Sequence, residues 1–304
     1  MAQTYYSQEY PLGTPSVSGS QLTVDLMLKE PTRINAYLSD LALKGYFAER
    51  IFANGGGVSG GALVYTQLTN NDLFPVRGGQ KVAPGAEFPE VTFDRPEPKT
   101  AQVEKFGGKF RVTDEARDRN DMSLIQTEGM KLANDVQRWL HARALAELDA
   151  SITAIGPDVQ IAVSSSASWA DATTLTISTE NKAALPAATL AKVRQKGQTQ
   201  ELGADYNLLV LNPQEYANLS IIYGDAEAWL RAQGFAVAVS NVVTAGTAYA
   251  VAEGQVGQVR YEQGLKTVTY RDDSTESTVV QSSIRPVFAV TNPYNVIKLT
   301  GLAD

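Results

Sequence analysis

The feature that most constrains the fold of this chain is a long helical pattern over residues 113–155. Thr113-Asp114-Glu115 is typical of a helix start, because a hydroxyl can cap the first turn and acidic side chains favour the positive end of the helix dipole. Apolar residues then recur at helical spacing as far as Leu148, and Gly156-Pro157 predicts the end. A helix of about 40 residues is about 60 Å long at 1.5 Å per residue. The heptads are irregular, so the pattern does not favour a coiled coil.

The segments that precede this helix have little core of their own. Residues 1–20 are rich in Ser, Tyr, Pro and Gly and predict an extended arm. Residues 23–52 are helical in pattern, and Pro31 divides them into two pieces. Residues 62–112 predict a long β-hairpin excursion, with strands at "ALVYTQL" and "EFPEVTF" and two further strand-like pieces around Gly107-Gly108.

The segments after the helix predict a mixed α and β region. Their predicted elements, in chain order, are two short strands in 158–182, a helix at about 186–199, a buried strand in "YNLLVLNP", a helix from Pro213 through "NPQEYANLSIIYGDAEAWL", strands alternating with turns over 235–270, and two final strands bent at Asn292-Pro293. The sequence shows no internal repeat.

Composition excludes several classes of chemistry. The 304 residues contain no cysteine and one histidine, so thiolate metal sites, thiol nucleophiles and multi-histidine metal sites are excluded. The net charge of −7 and the lack of a basic cluster disfavour direct recognition of nucleic acid. No apolar run approaches the roughly 18 residues of a membrane span, and the N-terminus lacks a signal-peptide pattern, so we expect a soluble chain and no membrane partner.

The stretch "ANGGGVSGGALVY" at 53–65 fits two catalytic motifs at once. Its glycines match G-x-G-x-x-G of a dinucleotide loop, and Gly57, Ser59 and Gly61 match G-x-S-x-G of a hydrolase. Both motifs require a strand before the glycines and a helix after them, whereas this sequence predicts a helix before and a strand after. We therefore interpret the glycines as a permissive joint between the N-terminal helical region and the excursion, with no nucleophilic role for Ser59.

His141 is the single histidine and would have to serve any Ser-His-Asp triad. Its predicted place is inside the long helix, with Asn134 and Arg138 on the same face, so we interpret this stripe as a solvated or interface surface. No catalytic, cofactor-binding or metal-binding residue is predicted, and no cofactor is expected.

The remaining polar patterns have simpler explanations than ligand binding. Two acidic groups stand out, namely Asp114, Glu115, Asp118 and Asp121 at the predicted helix start and Asp272, Asp273 and Glu276 in "RDDSTES". The first group has a helix-dipole explanation, and the second lacks the spacing of a calcium loop and predicts a solvated turn. "GGK" at 107–109 lacks the Ser or Thr that comes next in a phosphate loop.

The order of the segments resembles the major capsid protein of tailed bacteriophages, with the Hong Kong 97-type fold. Four stretches carry the resemblance: "FPEVTFDRPEPKTAQVEKFGGKFRVTDEARD", "LLVLNPQEYANL", "GFAVAVSNVVTAGTAYAV" and "RPVFAVTNPYNVIKLTG". They are similar, in turn, to the extended loop leading into the spine helix, a peripheral-domain strand and helix, an axial-domain segment, and closing strands. "RINAYLSDLALKGYFAERIF" and "GGALVY" are closest in pattern to siphophages of actinobacteria.

The resemblance implies an α+β fold in five segments. They are an N-terminal arm and helical segment at 1–61, an extended β-hairpin loop at 62–112, a peripheral domain with the spine helix at 113–204, an axial domain at 205–284, and closing strands of the peripheral domain at 285–304.

The resemblance also implies a structural function without enzymatic activity. The expected assembly is an icosahedral head of hexamers and pentamers, formed in the host bacterial cytoplasm, that encloses double-stranded DNA without binding it specifically and becomes part of the virion. Expected partners are other copies of the chain, a separate scaffolding protein, a portal and, as a further candidate, a decoration protein. Some family members cross-link a loop lysine to a neighbour's asparagine with the help of a nearby glutamate, but Lys81, Lys99 and Asn292 do not match that triad securely.

Two alternatives remain open at the level of sequence. An encapsulin-like nanocompartment shell shares the implied fold and would enclose cargo enzymes instead of DNA. A soluble enzyme is disfavoured, because the motifs lack their structural setting and the chain has one histidine.

Overall fold

The computed structural model describes residues 28, 31–43, 47–69, 81–90, 96–175, 182–201 and 203–303. The predicted arm at 1–20, most of the predicted helical residues 23–30, and parts of the extended loop at 70–80 and 91–95 lie outside the described residues. In the described part of the chain, no helix is long and apolar enough to cross a membrane.

Two helices precede the first strand in the described residues, and neither begins before Pro31, so the break between them is not the one predicted at Pro31. Helix α1 spans Pro31–Leu43 and buries Ile34 and Leu38, which lie one turn apart on the face toward the core. The short helix α2 spans Ala48–Ile51. It ends where β1 begins, at Phe52–Gly57.

The long helix is confirmed, but it begins later than the sequence predicts. A separate turn of helix, α3 at Asp114–Asp118, is capped by Thr113. Asn120 then adopts a positive φ of 54°, and Asp121 caps the long helix α4 at Met122–Ile155, which has 34 residues. Asparagine tolerates the left-handed region and aspartate is a good N-cap, so these two residues divide the predicted helix in two.

Helix α4 lies against a four-stranded sheet. The strands are β1, β9 at Gly257–Asp272, β10 at Ser277–Val290 and β4 at Phe106–Thr113, in that order across the sheet. Phe106 stacks on Trp139 of α4 at 4.6 Å between ring centroids. A Cβ at Gly108 would overlap the Leu132 side chain, so this glycine lets strand and helix approach closely.

A five-stranded sheet covers the C-terminal half of α4. Its order is β5 (Gln160–Ala162), β11 (Val296–Thr300), β8 (Thr247–Val251), β6 (Leu208–Leu211) and β7 (Ala236–Val239). All four residues of β6 are buried, which the continuous apolar run "LLVL" predicts.

The other face of this sheet is covered by short helices. These are α5 (Trp169–Ala172), α6 (Pro186–Thr199), α7 (Pro213–Tyr223) and α8 (Ala226–Ala232). They enclose a second apolar core with Trp169 and Phe235 at its centre. The predicted helix from Pro213 is therefore present, but Gly224, at φ 80°, and the N-cap Asp225 divide it into α7 and α8.

The larger apolar core joins both sheets through α4. Leu140, Leu148 and Ile152 of the helix belong to one buried cluster with residues of β6 and β8 and with residues of β9 and β10. One helix thus forms a common wall for two sheets, and the larger core is continuous from one sheet to the other.

The strands of the predicted segments 205–284 and 285–304 are shared between the two sheets, and the segment boundaries stay a prediction. Strand β9, predicted with the axial segment, pairs with β10 and β1 in the sheet that carries α4. Strand β11, predicted with the closing strands of the peripheral domain, pairs with β8 and β5 in the other sheet. Strands β9 and β10 pair antiparallel through a short turn, whereas β11 continues from the bend at Pro293–Asn295 into the other sheet.

The excursion forms a hairpin at its base. Strands β2 (Ala62–Thr66) and β3 (Pro98–Gln102) pair antiparallel, with Thr66 opposite Pro98. Leu63 packs with Val287 and Ala289 of β10 in a small cluster of its own. Within "EFPEVTF", residues 87–90 form no strand and 91–93 lie outside the described residues.

Candidate assembly surfaces

The glycine stretch belongs to a strand and not to a phosphate loop or a nucleophile turn. Strand β1 pairs parallel with β9, Asn54 opposite Val259 and Gly57 opposite Tyr261, so β1 has one extra residue in a bulge. Gly56 sits in this bulge with φ 81°, and its N–H donates to Asn54 Oδ1 at 2.9 Å. The predicted joint at Gly55–Gly57 is therefore wrong, because a paired strand holds these residues.

The residues after the bulge also exclude both catalytic motifs. Gly60 and Gly61 have positive φ angles of 91° and 76° and form the turn into β2. Ser59 is exposed in this turn. The next element is the strand β2 and not the helix that either motif requires, so the stretch positions the hairpin β2–β3 against β10.

His141 is buried, which corrects the interpretation of its helix face as solvated. The side chain is 5% exposed, and its Nε2 accepts a hydrogen bond from the Phe47 backbone N–H at 3.1 Å. The Phe47 ring lies 4.2 Å from the imidazole, centroid to centroid. Burial lowers the pKa of His141 to about 4, so the ring is neutral at pH 7 and joins α2 to α4 as a structural acceptor.

Asn134 and Arg138, on the same helix face, line an open groove. The groove has a volume of about 710 Å³ and runs between α4 and the end of β7. Apolar side chains form much of its wall, namely Phe47, Pro213, Ala238, Val239 and Val242. His141 lines the same groove as these two residues, and an interface at this surface stays a prediction.

A charged cluster closes the far end of the four-stranded sheet. Arg271 of β9 donates two hydrogen bonds of 2.7 Å to the Asp114 carboxylate and one of 2.8 Å to Asp273. These contacts with Arg271 hold the pKa of Asp114 below its usual range. Asp272 accepts from the Ser274 N–H in the turn between β9 and β10. Ion pairs and turn capping thus occupy Asp114, Asp272 and Asp273.

The base of the hairpin carries exposed apolar side chains. Val64 is 67% exposed on β2, and Phe88, in the excursion that the hairpin supports, is 83% exposed. Large apolar side chains that a subunit leaves in water commonly mark a contact with another protein.

The lysines and the asparagine considered for a cross-link have separate roles within one chain. Lys99 of β3 donates to the Gln67 side chain, and Lys81 is exposed in the excursion. Asn292 caps the turn at Pro293–Asn295 by accepting from the Tyr294 N–H at 3.2 Å.

Residues 96–299 match the model of a protein family described as phage capsid protein. The chain belongs to this family. The match begins just before β3 and extends into β11, so it includes α4, the five-stranded sheet and three of the four strands of the other sheet, while β1 lies before it. Comparison with curated protein sequences gives no match.

Solved structures of capsid-like shells share the fold of this capsid family member. A virus-like particle protein from Pyrococcus furiosus is 16% identical over 88% of this chain and 97% of that chain, with a TM-score of 0.60. The Mycobacterium phage Bobi structure is 12% identical over 84% of this chain and 90% of that chain, with a TM-score of 0.59. The capsid of the myophage XM1 is 13% identical over 84% and 90%, with a TM-score of 0.54.

The fold is therefore the Hong Kong 97-type capsid fold, and the α+β class predicted from the sequence is confirmed. Family and fold point to a structural protein of a virion that associates with copies of itself. The sequence could not reveal the groove between α4 and β7, because its two walls are about 100 residues apart in the chain and share no motif.

Proposed function

We propose that this chain is the major capsid protein of a tailed bacteriophage and assembles into the hexamers and pentamers of an icosahedral head around double-stranded DNA. The observation that carries the proposal is the match to a phage capsid family over residues 96–299. The fold supports it, because capsid structures of several phages superimpose on most of the chain.

The described surface supports self-assembly in particular. The hairpin β2–β3 packs on β10 through one small apolar cluster and leaves Val64 and Phe88 in water. A single sequence that fills many related positions in a shell must use heterologous contacts around five-fold and six-fold axes. An excursion with few core residues is suited to such contacts because it can adapt without unfolding the subunit.

We assign the sheet β1-β9-β10-β4 with α4 to a peripheral domain, and the sheet β5-β11-β8-β6-β7 with its covering helices to an axial domain. We further propose that a scaffolding protein and a portal act in assembly, that a decoration protein is a candidate partner, and that assembly takes place in the host bacterial cytoplasm. We also propose that the capsid proteins most similar in pattern to this chain are those of siphophages of actinobacteria.

The nanocompartment shell is not favoured, because the family that the chain matches is one of phage capsids. The enzyme alternative has no support from the described residues either, since neither glycine motif has its structural setting and His141 is buried against Phe47.

Expression of the chain alone and with its scaffolding protein, followed by electron microscopy, tests the proposal. We expect closed shells of uniform diameter built of hexamers and pentamers. A chain that stays monomeric under every assembly condition, including with scaffold, would contradict it. Shells that purify with enzyme cargo and never with DNA would instead support a nanocompartment.

A further inference from the structure

A hollow of about 420 Å³ lies on the face of the four-stranded sheet that is turned away from α4. Phe106 of β4 stacks on α4, and side chains alternate along a strand, so Lys105, Gly107 and Lys109 lie on the opposite face. Gly107 has no side chain, and the residue opposite it on β10 is the small Ser283. These two residues leave the space open, and both lysines line it.

The hollow is surrounded by hydrogen-bond donors. Gln281 lines it opposite Lys109, and its side-chain amide has no hydrogen bond to a described residue. Ser283 Oγ accepts from Gln263 Nε2 at 3.3 Å, so the hydroxyl hydrogen is free to donate to a ligand. Lys266 of β9 lies directly opposite Ser283 on the same face and brings a third ammonium group close to the space.

The three lysines have no ion-pair partner among the described residues. The acidic residues that flank them along the chain are held by arginines instead. These pairs are Glu104 with Arg143 at 2.8 Å, Glu262 with Arg285 at 3.1 Å, and Asp272 with Arg111 at 3.3 Å. Like charges around a common space repel one another, so an anion that enters the hollow lowers the electrostatic energy of all three lysines.

We propose that this hollow binds a phosphate group, whose oxygens accept from the three lysines, the Ser283 hydroxyl and the Gln281 amide. The donors come from three neighbouring strands, so they approach a ligand from several directions. The tetrahedral oxygens of a phosphate can accept from all of them. A carboxylate has two oxygens in one plane and is matched best by the planar fork of an arginine, and none of the described residues that line the hollow is an arginine.

Two sources offer this chemistry, a nucleic acid backbone and a free polyphosphate. The nucleic acid source rests on the proposed function, because the enclosed DNA brings phosphate groups to the chain. Its binding is independent of base sequence, since phosphate contacts carry no sequence information. The net charge of −7 repels DNA from most of the surface but does not exclude this site, which the fold assembles from lysines of β4 and β9 that are distant in sequence.

Calorimetric titration of the full-length chain with tripolyphosphate tests the site. Lys105→Gln with Lys109→Gln should weaken binding by about tenfold or more, because each ammonium group supplies a charge-assisted contact. The matched control is Lys182→Gln with Lys192→Gln, which removes the same charge at exposed positions before and within α6. It should change the affinity by less than about twofold, because salt screens exposed charges that do not contact the ligand.

Gln281→Glu gives a second variant that keeps the size of the side chain and places a negative charge at the hollow. We expect it to weaken tripolyphosphate binding by about tenfold or more through repulsion of the ligand. Gln195→Glu, at an exposed position of α6, is its control and should leave the affinity within about twofold of the wild type. Unfolding curves of both variants should match that of the wild type.

Fluorescence anisotropy with a labelled DNA duplex of about 20 base pairs distinguishes the two sources. The logarithm of the binding constant should fall with the logarithm of salt concentration with a slope of about −2 to −3, as expected for two or three phosphate contacts. Duplex binding that the Lys105 and Lys109 changes abolish would identify a nucleic acid backbone as the source, and binding of tripolyphosphate alone would identify a free polyphosphate.

Three results would overturn the phosphate site. They are no binding of either ligand, equal losses in the site and control variants, and tighter binding of a glutamate peptide than of tripolyphosphate at equal charge. All of these measurements are made on the chain without a need for shells. Failure of the wild-type chain to form shells would therefore count against the proposed function and leave the test of this site intact.

Discussion

Asp149 of the long helix α4 accepts a hydrogen bond of 2.9 Å from the hydroxyl of Tyr249 in β8. The same carboxylate oxygen accepts from Lys298 Nζ of β11 at 2.8 Å. Tyr249 is buried, and burial together with the charge of Asp149 raises the pKa of its phenol. Asp149 thus joins α4, which lies against the four-stranded sheet, to β8 and β11, two central strands of the five-stranded sheet.

We expect Tyr249→Phe to lower the free energy of unfolding of the unassembled subunit by about 1 kcal/mol, the usual net contribution of one hydrogen bond. Asp149→Ala should cost more, about 1–3 kcal/mol, because it leaves a buried hydroxyl without its acceptor. Asp135→Ala, at an exposed position of the same helix, is the control and should stay within about 0.5 kcal/mol. Denaturant unfolding measures all three, and equal costs for Asp149→Ala and Asp135→Ala would contradict the role of the pair.

The buried His141 should make stability depend on pH in a defined window. Its pKa is lowered from 6.5 to about 4 in the folded chain, so the unfolded chain binds more protons between these values. The contribution is fully present above pH 6.5 and is lost as the pH falls toward 4.

His141→Gln retains an acceptor for the Phe47 N–H and removes the titration. The denaturation midpoint of this variant should fall less between pH 7 and pH 5 than that of the wild type. The difference between the two chains isolates His141 from the carboxylates, which titrate in both. Parallel pH profiles would show that the imidazole is not held neutral by its surroundings.

Two glycines of β9 should differ in how much their substitution by alanine changes the free energy of unfolding. A Cβ at Gly257 would overlap the carbonyl oxygen of Ala289 on the paired strand β10, whereas a Cβ at Gly264 would meet nothing within 4 Å. Gly257→Ala should therefore cost about 1–3 kcal/mol of unfolding free energy, as overpacking commonly does. Gly264→Ala should be neutral or stabilise by up to about 1 kcal/mol. A similar cost at both positions would mean that β9 and β10 are further apart than the structure shows.

The excursion should be dispensable for folding and required for assembly. Replacing residues 70–96 with a short Gly-Ser linker keeps β2 and β3 paired and keeps Leu68, whose N–H donates to Thr291 O at 2.8 Å. We expect the unfolding free energy to change by less than about 0.5 kcal/mol, since the replaced residues bury little described core. Light scattering and electron microscopy should show no closed shells.

A Gly-Ser replacement of the same 27-residue length separates the effect of sequence from that of loop length. It should also fail to assemble, because it lacks Phe88 and the flanking glutamates. Stable shells from both replacements would show that the excursion is not an assembly element.

Local sequence patterns predicted the elements whose causes lie within a few residues. The apolar run at Leu208–Leu211 predicts the buried strand β6, and Asn212-Pro213 predicts the start of α7, where Asn212 Oδ1 accepts from Gln214 N–H at 2.9 Å. The bend at Asn292-Pro293 is likewise present. In each case a short run of residues determines both the conformation and its boundary.

The predictions that failed depend on partners far along the chain. Gly55–Gly57 looks like a flexible joint in sequence, but it pairs with β9 about 200 residues later and is held as a strand. His141 looks exposed on its helix until Phe47, 94 residues earlier, covers it. The sheet to which each of the two final strands belongs depends in the same way on distant pairing, with β9 and with β8, and the sequence made no prediction of it.

The last prediction tests whether the glycine stretch has a structural or a catalytic role. Gly56 has a φ of 81° and open space around its Cβ position, so only backbone strain opposes a side chain there. Gly56→Ala should therefore cost about 1–2 kcal/mol of unfolding free energy, the penalty of a left-handed non-glycine residue. Gly57→Ala, in the same strand without a positive φ and with its nearest contact at 3.9 Å, is the matched control and should be neutral.

Ser59→Ala completes this series, because it removes the hydroxyl that the hydrolase motif would need. Ser59 is exposed in a turn between two strands, so we expect normal stability and normal yields of closed shells from this variant. Unfolding curves and electron microscopy of the three variants measure the order of the effects. The opposite result would be a Ser59→Ala chain that folds normally but forms no shells, together with a Gly56→Ala chain of normal stability. That result would contradict the structural role and indicate that the hydroxyl of Ser59 has a chemical role.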